Sequence, residues 1–450
     1  MKSALVVDDS KFMRTVVGNE LREHGYEVVE ASNGKQALEA VEAHEPDVIT
    51  MDVAMPEMNG IEAVEHIMNW RPTPILMISA YTANGADATL DALQKGAVGF
   101  IQKPGGEVSI ETRPLEDELI EKVDAAVQAD AEALSPSPVD TATEDGDAAV
   151  DEFDTGETVD AATDTADAAT DAAESATEPV AADVRAVDAA AEAVEAAMEA
   201  VEVATGVTEA DAATESADAA ASQASTPSAV ELPPRPADQE DSASGVSEEL
   251  RTADYVDCPT VVIGASTGGP KILNEILREL PRELDARVLV IQHMPASFTG
   301  RFALRLDGVS GYEVAEAQDG ERIGPGQARV ARGDRHLKVV EDVGGMLTLE
   351  LIDDRLSRNV QPSIDVTMET AAAAVERPLT GVALTGMGSD GAAGIRAIKE
   401  AGGTTIVQDE ETSPVFGIPQ KAIETGCVDH VLAAEEIVEG VLETFTKEGD

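Results

Sequence analysis

The chain has 450 residues, enough for two or three domains, and 43% of them are hydrophobic but only 3% aromatic, so its cores must be built from Val, Ile, Leu and Ala. A formal net charge of −57 repels nucleic acid and anionic membrane surfaces, and argues against a nucleic-acid-binding role. No apolar run reaches bilayer length, the N-terminus lacks a signal-peptide pattern, and Cys258 and Cys427 match no metal or redox spacing. The expectation is a soluble, cytoplasmic protein without direct membrane insertion.

Residues 1–129 alternate short apolar strands with amphipathic helical stretches. Strands are expected at Ala4–Val7, Glu27–Ala31, Val48–Met51, Ile75–Ser79 and Gly99–Ile101. Five such βα units predict a parallel sheet with helices on both faces. The last helix, around Leu115–Ala129, places Leu115, Leu119, Ile120, Val123 and Val127 at helical spacing, as core packing requires.

From about residue 130 to 254 the composition changes to Ala, Asp, Glu and Thr. Between Ala131 and Leu250 there are 31 acidic residues against Arg185 and Arg235, about half of the net charge. This reads as a long acidic disordered linker. The flanking regions remain strongly acidic, and the chain has only 11 lysines, the composition of a protein adapted to high salt. Within the linker, Val184, Val187, Ala191, Val194, Met198 and Val201 follow a 3-4-3-4-3 spacing. Either a partner recognises a helix there, or the stretch is transiently helical.

Residues 255–450 form the second α/β region. Val261–Ile263, Val288–Gln292, Leu379–Thr385 and Thr404–Val407 are its apolar strands, and Leu337–Val340 with Leu347–Leu351 predict a hairpin through Gly344-Gly345. The expected fold class is therefore two doubly wound parallel-sheet domains, flavodoxin-like and then Rossmann-like, joined by the linker.

Chemistry-bearing residues collect at strand ends in both domains. In the first, Asp8 and Asp9 end the first strand, Asp52 the third and Ser79 the fourth, while Lys103 follows the fifth. Carboxyl ends of parallel strands gather at one edge, and clustered carboxylates there suit a hard divalent cation such as Mg²⁺. The expected chemistry is phosphorylation of Asp52, with an ammonium and a hydroxyl beside it. Singly, Asp8 or Asp9 could be helix caps and Asp52 a turn residue. In the second domain, Ser266 lies in a glycine-rich turn leading to a helix with Pro270 in its first turn. His293 follows the next strand, and Asp390 follows the third. These are the parts of an acyl-transfer triad.

Competing readings of the second domain are specific. Gly264-x-Ser266-x-Gly268 fits a nucleophile turn, but the chain order Ser, His, Asp disfavours an α/β-hydrolase fold. A dinucleotide loop would want an acidic residue where Gln292-His293 stands. Alone, His293 could be a helix-flanking polar residue and Asp390 an N-cap for the helix through Ile395. His336 and His430 lie outside strand-end settings and read as structural. The different-class alternative is a regulated binding protein whose second domain lacks chemistry or holds a nucleotide.

Residues 1–129 resemble a response-regulator receiver domain. The second domain resembles the catalytic domain of chemotaxis protein-glutamate methylesterases, through Gly264-Ala-Ser-Thr-Gly-Gly269, Gln292-His-Met-Pro295, Phe298-Thr299, Pro362-Ser-Ile-Asp-Val366, Leu384-Thr-Gly-Met-Gly-Ser-Asp-Gly391 and Phe416-Gly-Ile-Pro419. The first resemblance implies Asp52 as phosphoacceptor, Asp8, Asp9 and Asp52 as the Mg²⁺ pocket, Ser79 and Lys103 as phosphoryl contacts, and Phe100 as the aromatic switch. The second implies Ser266 as nucleophile, His293 as base, Asp390 as its orienting acid, amides at Thr267 and Met387 as oxyanion donors, and no cofactor for the esterase. Implied partners are methylated chemoreceptor cytoplasmic domains and a chemotaxis histidine kinase; the implied activities are glutamate methyl ester hydrolysis and glutamine deamidation. Arg332-Gly333 departs from the family's usual Pro-Gly.

In that family the unphosphorylated receiver covers the esterase cleft across a short linker. A flexible chain of about 120 residues has an r.m.s. span of roughly 60 Å, which lowers the effective concentration for docking. Linker length alone therefore predicts weaker autoinhibition here.

Overall fold

A computed structural model describes residues 2–79, 83–103, 113–129, 246–354, 360–376 and 378–447, with the side chains of 79, 83, 84 and 113–117 outside that description. The 3-4-3-4-3 stretch from Val184 to Val201 also lies outside it.

The N-terminal module runs β1 (Ser3–Val7), α1 (Lys11–Glu23), β2 (Glu27–Ala31), α2 (Gly34–His44), β3 (Val48–Asp52), α3 (Gly60–Trp70), β4 (Ile75–Ser79), α4 (Ala83–Gln94), β5 (Gly99–Gln102) and α5 (Arg113–Ala126). All five strands are parallel in the order β2-β1-β3-β4-β5. Alternation along each strand sorts the core into two layers. Ala4, Val6, Val48, Leu76 and Ile78 meet Val17 and Leu21 of α1 and Leu119 and Val123 of α5. Leu5, Val7, Ile49, Met51 and Met77 face Val41, Val64, Ile67 and Leu90 on the other side. The predicted packing role of Leu115 lies outside the described side chains.

The C-terminal module begins before the compositional boundary. Residues 246–254, which composition assigns to the linker, include the short helix α6 (Glu248–Arg251), and Val246 is buried while Leu250 and Ala253 pack on the core. A few apolar residues do this, too sparse to register against the surrounding acidic composition.

There follow β6 (Thr260–Ala265), α7 (Gly269–Glu279), β7 (Arg287–Gln292), α8 (Ala296–Val309), β8 (Glu313–Glu316), β9 (Arg322–Ile323), β10 (Gln327–Val330), β11 (His336–Val343), β12 (Met346–Ile352), α9 (Ile364–Ala374), β13 (Leu379–Ala383), α10 (Ala392–Glu400), β14 (Thr404–Gln408), α11 (Gly417–Glu424), β15 (His430–Leu432) and α12 (Ile437–Phe445). Seven parallel strands are ordered β15-β14-β13-β6-β7-β10-β8. The predicted hairpin is present, turning at Gly344 and Gly345 with φ of 65° and 80°, and β9 completes a small antiparallel sheet. It packs Leu337, Val339, Leu347 and Leu349 onto the same side of the large sheet as α9, α10 and α11.

One ion pair ties hairpin to sheet. Arg287 on β7, fully buried, contacts Asp342 at 2.8 Å and also donates to Thr260 Oγ1 and the Cys258 carbonyl. Removing one partner leaves a buried charge uncompensated. Asp342→Ala is expected to destabilise the C-terminal module by about 3–5 kcal/mol, read as an earlier transition in denaturant.

Candidate active site

In the N-terminal module the strand order reverses at β1, with β2 on one side and β3 on the other, and the crevice beyond β1 and β3 is where such sheets form sites. Asp8 and Asp9 leave β1 there, and Asp52 closes β3. Each can bring a carboxylate oxygen within 4.8 Å of the other two. Lys103, just past β5, reaches Asp52 at 2.8 Å and Asp8 at 2.9 Å. Burial holds the Asp52 carboxyl above its usual range, and the nearby Asp8 charge adds to this, although the Lys103 ammonium and the Val53 amide pull it down. Burial works against the Lys103 charge, but hydrogen bonds and attraction to Asp52 and Asp8 prevail, and its pKa is raised. An oxygen-only donor set with an adjacent ammonium fits a hard divalent ion such as Mg²⁺ sharing a phosphoryl group with the protein. Ser79 ends β4 opposite Gln102 of β5, one residue from Lys103; its side chain lies outside the described set.

In the C-terminal module β6 is likewise the reversal point, flanked by β13 and β7. Ser266 leaves β6, His293 leaves β7, and Asp390 lies on the loop after β13. All three line one cleft of about 650 Å³, together with Thr267, Gln292 and Met387. His293 Nε2 lies 2.8 Å from Asp390 Oδ2. Burial works to raise the Asp390 pKa, but His293, the Ser363 hydroxyl and the Ile364 amide outweigh it, and the carboxyl is held below its ordinary value. The Ser266 hydroxyl has no hydrogen-bond partner among the described residues. The backbone N–H groups of Thr267 and Met387 are also without acceptors among them.

Local structure explains this placement. The Ser266 amide donates to the Thr385 carbonyl, and the His293 amide to the Ala265 carbonyl, so all three strand ends are tied together. Gly386, at φ 155°, approaches Ser266 so closely that a Cβ would lie 2.5 Å from the serine Cβ. The reading of Asp390 as a cap on its own helix is not what forms: the N-cap of α10 is Gly391, and the Asp390 carboxylate turns towards His293 and α9. His336 is buried, accepting from the Ser363 amide and contacting the Asp354 carbonyl, while His430 is exposed on an edge strand. Arg332, the family departure, pairs with Asp334 on the surface.

Sequence reasoning assigned no role to Gln292, whose side-chain amide donates to the Ser266 carbonyl at 2.8 Å, nor to Ser363 and Asp365. It also assigned none to Val98. The N-terminal module lies against the cleft, and the Val98 carbonyl accepts from the Gly268 amide at 2.8 Å. Phe100 stacks on Phe298 at 4.4 Å. Arg301 of α8 pairs with Asp87 of α4, and Arg305 with Asp91 at 2.6 Å. Phe100, Glu118 and Lys122 line the same cleft as Ser266 and His293.

An acidic pocket with a strand-end lysine, and a serine, histidine and aspartate around the cleft that the first module covers, define a response regulator with a hydrolase output module. Residues 4–113 match the response regulator receiver domain, and residues 261–441 the CheB methylesterase domain. The chain belongs to the protein-glutamate methylesterase/protein-glutamine glutaminase family. It is 43% identical over 99% of its length to the member from Haloarcula marismortui, covering 98% of that protein. It is 42% identical, over 99% of its length and 98% of the relative, to the member from Natronomonas pharaonis. Among solved structures, the Thermotoga maritima CheB methylesterase catalytic domain is 42% identical, with a TM-score of 0.40, covering 42% of this chain and 99% of that one.

Proposed function

We propose that this protein hydrolyses glutamate methyl esters, and deamidates glutamines, on chemoreceptor cytoplasmic domains, under control of phosphorylation at Asp52. The observation that carries the reading is the single cleft on which Ser266, His293 and Asp390 converge, covered by the receiver.

Asp390 is ionised and binds His293 Nε2–H, which leaves Nδ1 as the basic ring nitrogen. Ser266 Oγ attacks the ester carbonyl while His293 takes its proton. The tetrahedral oxyanion is met by the Thr267 and Met387 amides. Collapse breaks the carbon–methoxy bond, and His293 returns the proton so that methanol leaves; a glutamine substrate releases ammonia instead. Water then attacks the acyl-enzyme with His293 as base, freeing glutamate and Ser266.

At the receiver, Asp52 takes the phosphoryl group of a phosphohistidine on the kinase, forming an acyl phosphate as the nitrogen–phosphorus bond breaks. A Mg²⁺ ion held by Asp8, Asp9 and Asp52 supplies charge neutralisation on the phosphoryl oxygens when bound. Lys103 and Ser79 contact those oxygens. The strand that leads into Lys103 also carries Gly99 and Phe100, next to Val98, at the esterase cleft. Movement of Lys103 towards a phosphoryl group is thus transmitted along a few residues to the covering segment, with Phe100 as the switch. The seating of Val98 and Phe100 supports autoinhibition despite the linker, against the expectation from linker length alone.

The test is methanol release from methylated receptor fragments at high salt, with and without a small-molecule phosphodonor and Mg²⁺. Release should rise with phosphodonor, and Asp52→Ala should abolish the rise while keeping basal release. Release indifferent to phosphodonor in the parent chain would break the coupling. No release at all from folded protein would overturn the esterase reading.

A further inference from the structure

The loop that presents Asp390 passes through positive φ at Gly386, Gly388 and Gly391, and backbone bonds to Val415 and Ile418 anchor its start at Gly386. Around Asp390 itself the loop is tied to α9 by a reciprocal exchange of carboxylates. Asp390 Oδ1 accepts from the Ser363 hydroxyl at 2.7 Å and the Asp365 amide at 3.1 Å, and Oδ2 accepts from the Ile364 amide at 2.6 Å. The acid that orients His293 therefore sits on the first turn of α9. In return, Asp365 Oδ1 accepts from the Gly391 and Gly394 amides, both at 2.8 Å. These belong to the N-cap and first turn of α10, which has no side-chain cap of its own.

Each helix N-terminus is thus capped by an acid from the other segment, and each acid faces the positive end of a helix dipole. Asp365 is 6% exposed, so its two bonds are made away from bulk water. If its carboxylate is removed, two buried amides lose their acceptor, and the loop immediately after Asp390 loses its tether. Nothing else described holds both of those amides. His336 fixes the other side of the same turn by accepting from the Ser363 amide at 3.1 Å.

We infer that Asp365 is a positioning residue of the hydrolase, holding Asp390, and through it His293, in register with Ser266. The inference rests on the triad proposed above. Its test is the rate at which a fluorophosphonate labels Ser266 in the full chain, together with kcat and KM for methanol release, at a temperature where each variant is folded. Asp365→Ala is expected to lower both the labelling rate and kcat roughly 10- to 100-fold, the scale of a misplaced catalytic group, with KM little changed. Asp365→Asn, which keeps an acceptor oxygen towards both amides, should restore most of the rate.

A purely structural role would lower the melting temperature of Asp365→Ala but leave labelling per folded molecule at the parent rate, and that result overturns the inference. Should the alanine variant not fold, Asp365→Ser, with a single shorter acceptor, is expected to label at an intermediate rate; parent-rate labelling there overturns it equally. Failure of the parent chain to label at Ser266 would instead remove the triad, and the role of Asp365 with it.

Discussion

Ser266→Ala is expected to reduce methanol release from methylated receptor fragments by roughly 10⁴- to 10⁶-fold, the loss seen when a triad nucleophile is removed. The Thr267 and Met387 amides proposed as oxyanion donors, and substrate binding, remain in the variant, so hydrolysis should stay measurable above the uncatalysed rate. The fold should be unaffected for a structural reason. The Ser266 hydroxyl has no partner among the described residues, so its removal orphans no buried group, and alanine retains the Cβ beside Gly386. The control is receiver phosphorylation by a small-molecule donor, which should proceed at the parent rate. Turnover near the parent level would mean that the nucleophile lies elsewhere, and would return the cleft to a binding role.

The second large effect concerns the covering module. Arg301→Glu with Arg305→Glu places acids opposite Asp87 and Asp91, replacing two attractions with two repulsions. Like charges juxtaposed across an interface cost several kcal/mol. A shift of even about 2.7 kcal/mol in the docked–undocked equilibrium is about 100-fold. Basal methanol release in the full-length double variant should rise many-fold and approach that of the phosphorylated parent, while the response to phosphodonor shrinks. Both arginines face α4, and neither lines the cleft with Ser266, so the chemistry itself should be unchanged. Since the carboxylates are half exposed, the effect should be larger at low salt than at molar salt, where the Debye length is about 3 Å. Basal activity equal to the parent at both salts would mean that the receiver's seat on the cleft does not limit turnover.

Much of this was legible in the sequence because burial on both faces makes a parallel strand a continuous apolar run. β6, β7 and β13 are such runs, and their carboxyl ends point to Ser266, His293 and Asp390. The edge strands of the second sheet were not legible. β8 is Glu-Val-Ala-Glu and β15 is His-Val-Leu, short and partly exposed, as edges must be if they are not to recruit other chains. The support around Asp390 escaped notice for another reason. Ser363 and Asp365 are nearly thirty residues from their partners, and a helix cap supplied from another segment has no local spacing to betray it. The docking contacts were equally hidden. Val98 takes part through its backbone carbonyl, a group that every residue possesses.

The order of the modules along the chain adds a consequence in time. Synthesis completes the receiver well before it reaches β6, and Asp390 is among the last elements of the cleft to emerge. A nascent chain carrying Ser266 and His293 still lacks Asp390 and has no strand β13 beside β6, so the proposed triad is incomplete. When the central sheet closes, the module that seats on its nucleophile turn has already left the ribosome and is tethered to it. If the seat of the receiver restrains the cleft as proposed, the hydrolase module completes its cleft with that restraint already tethered to it.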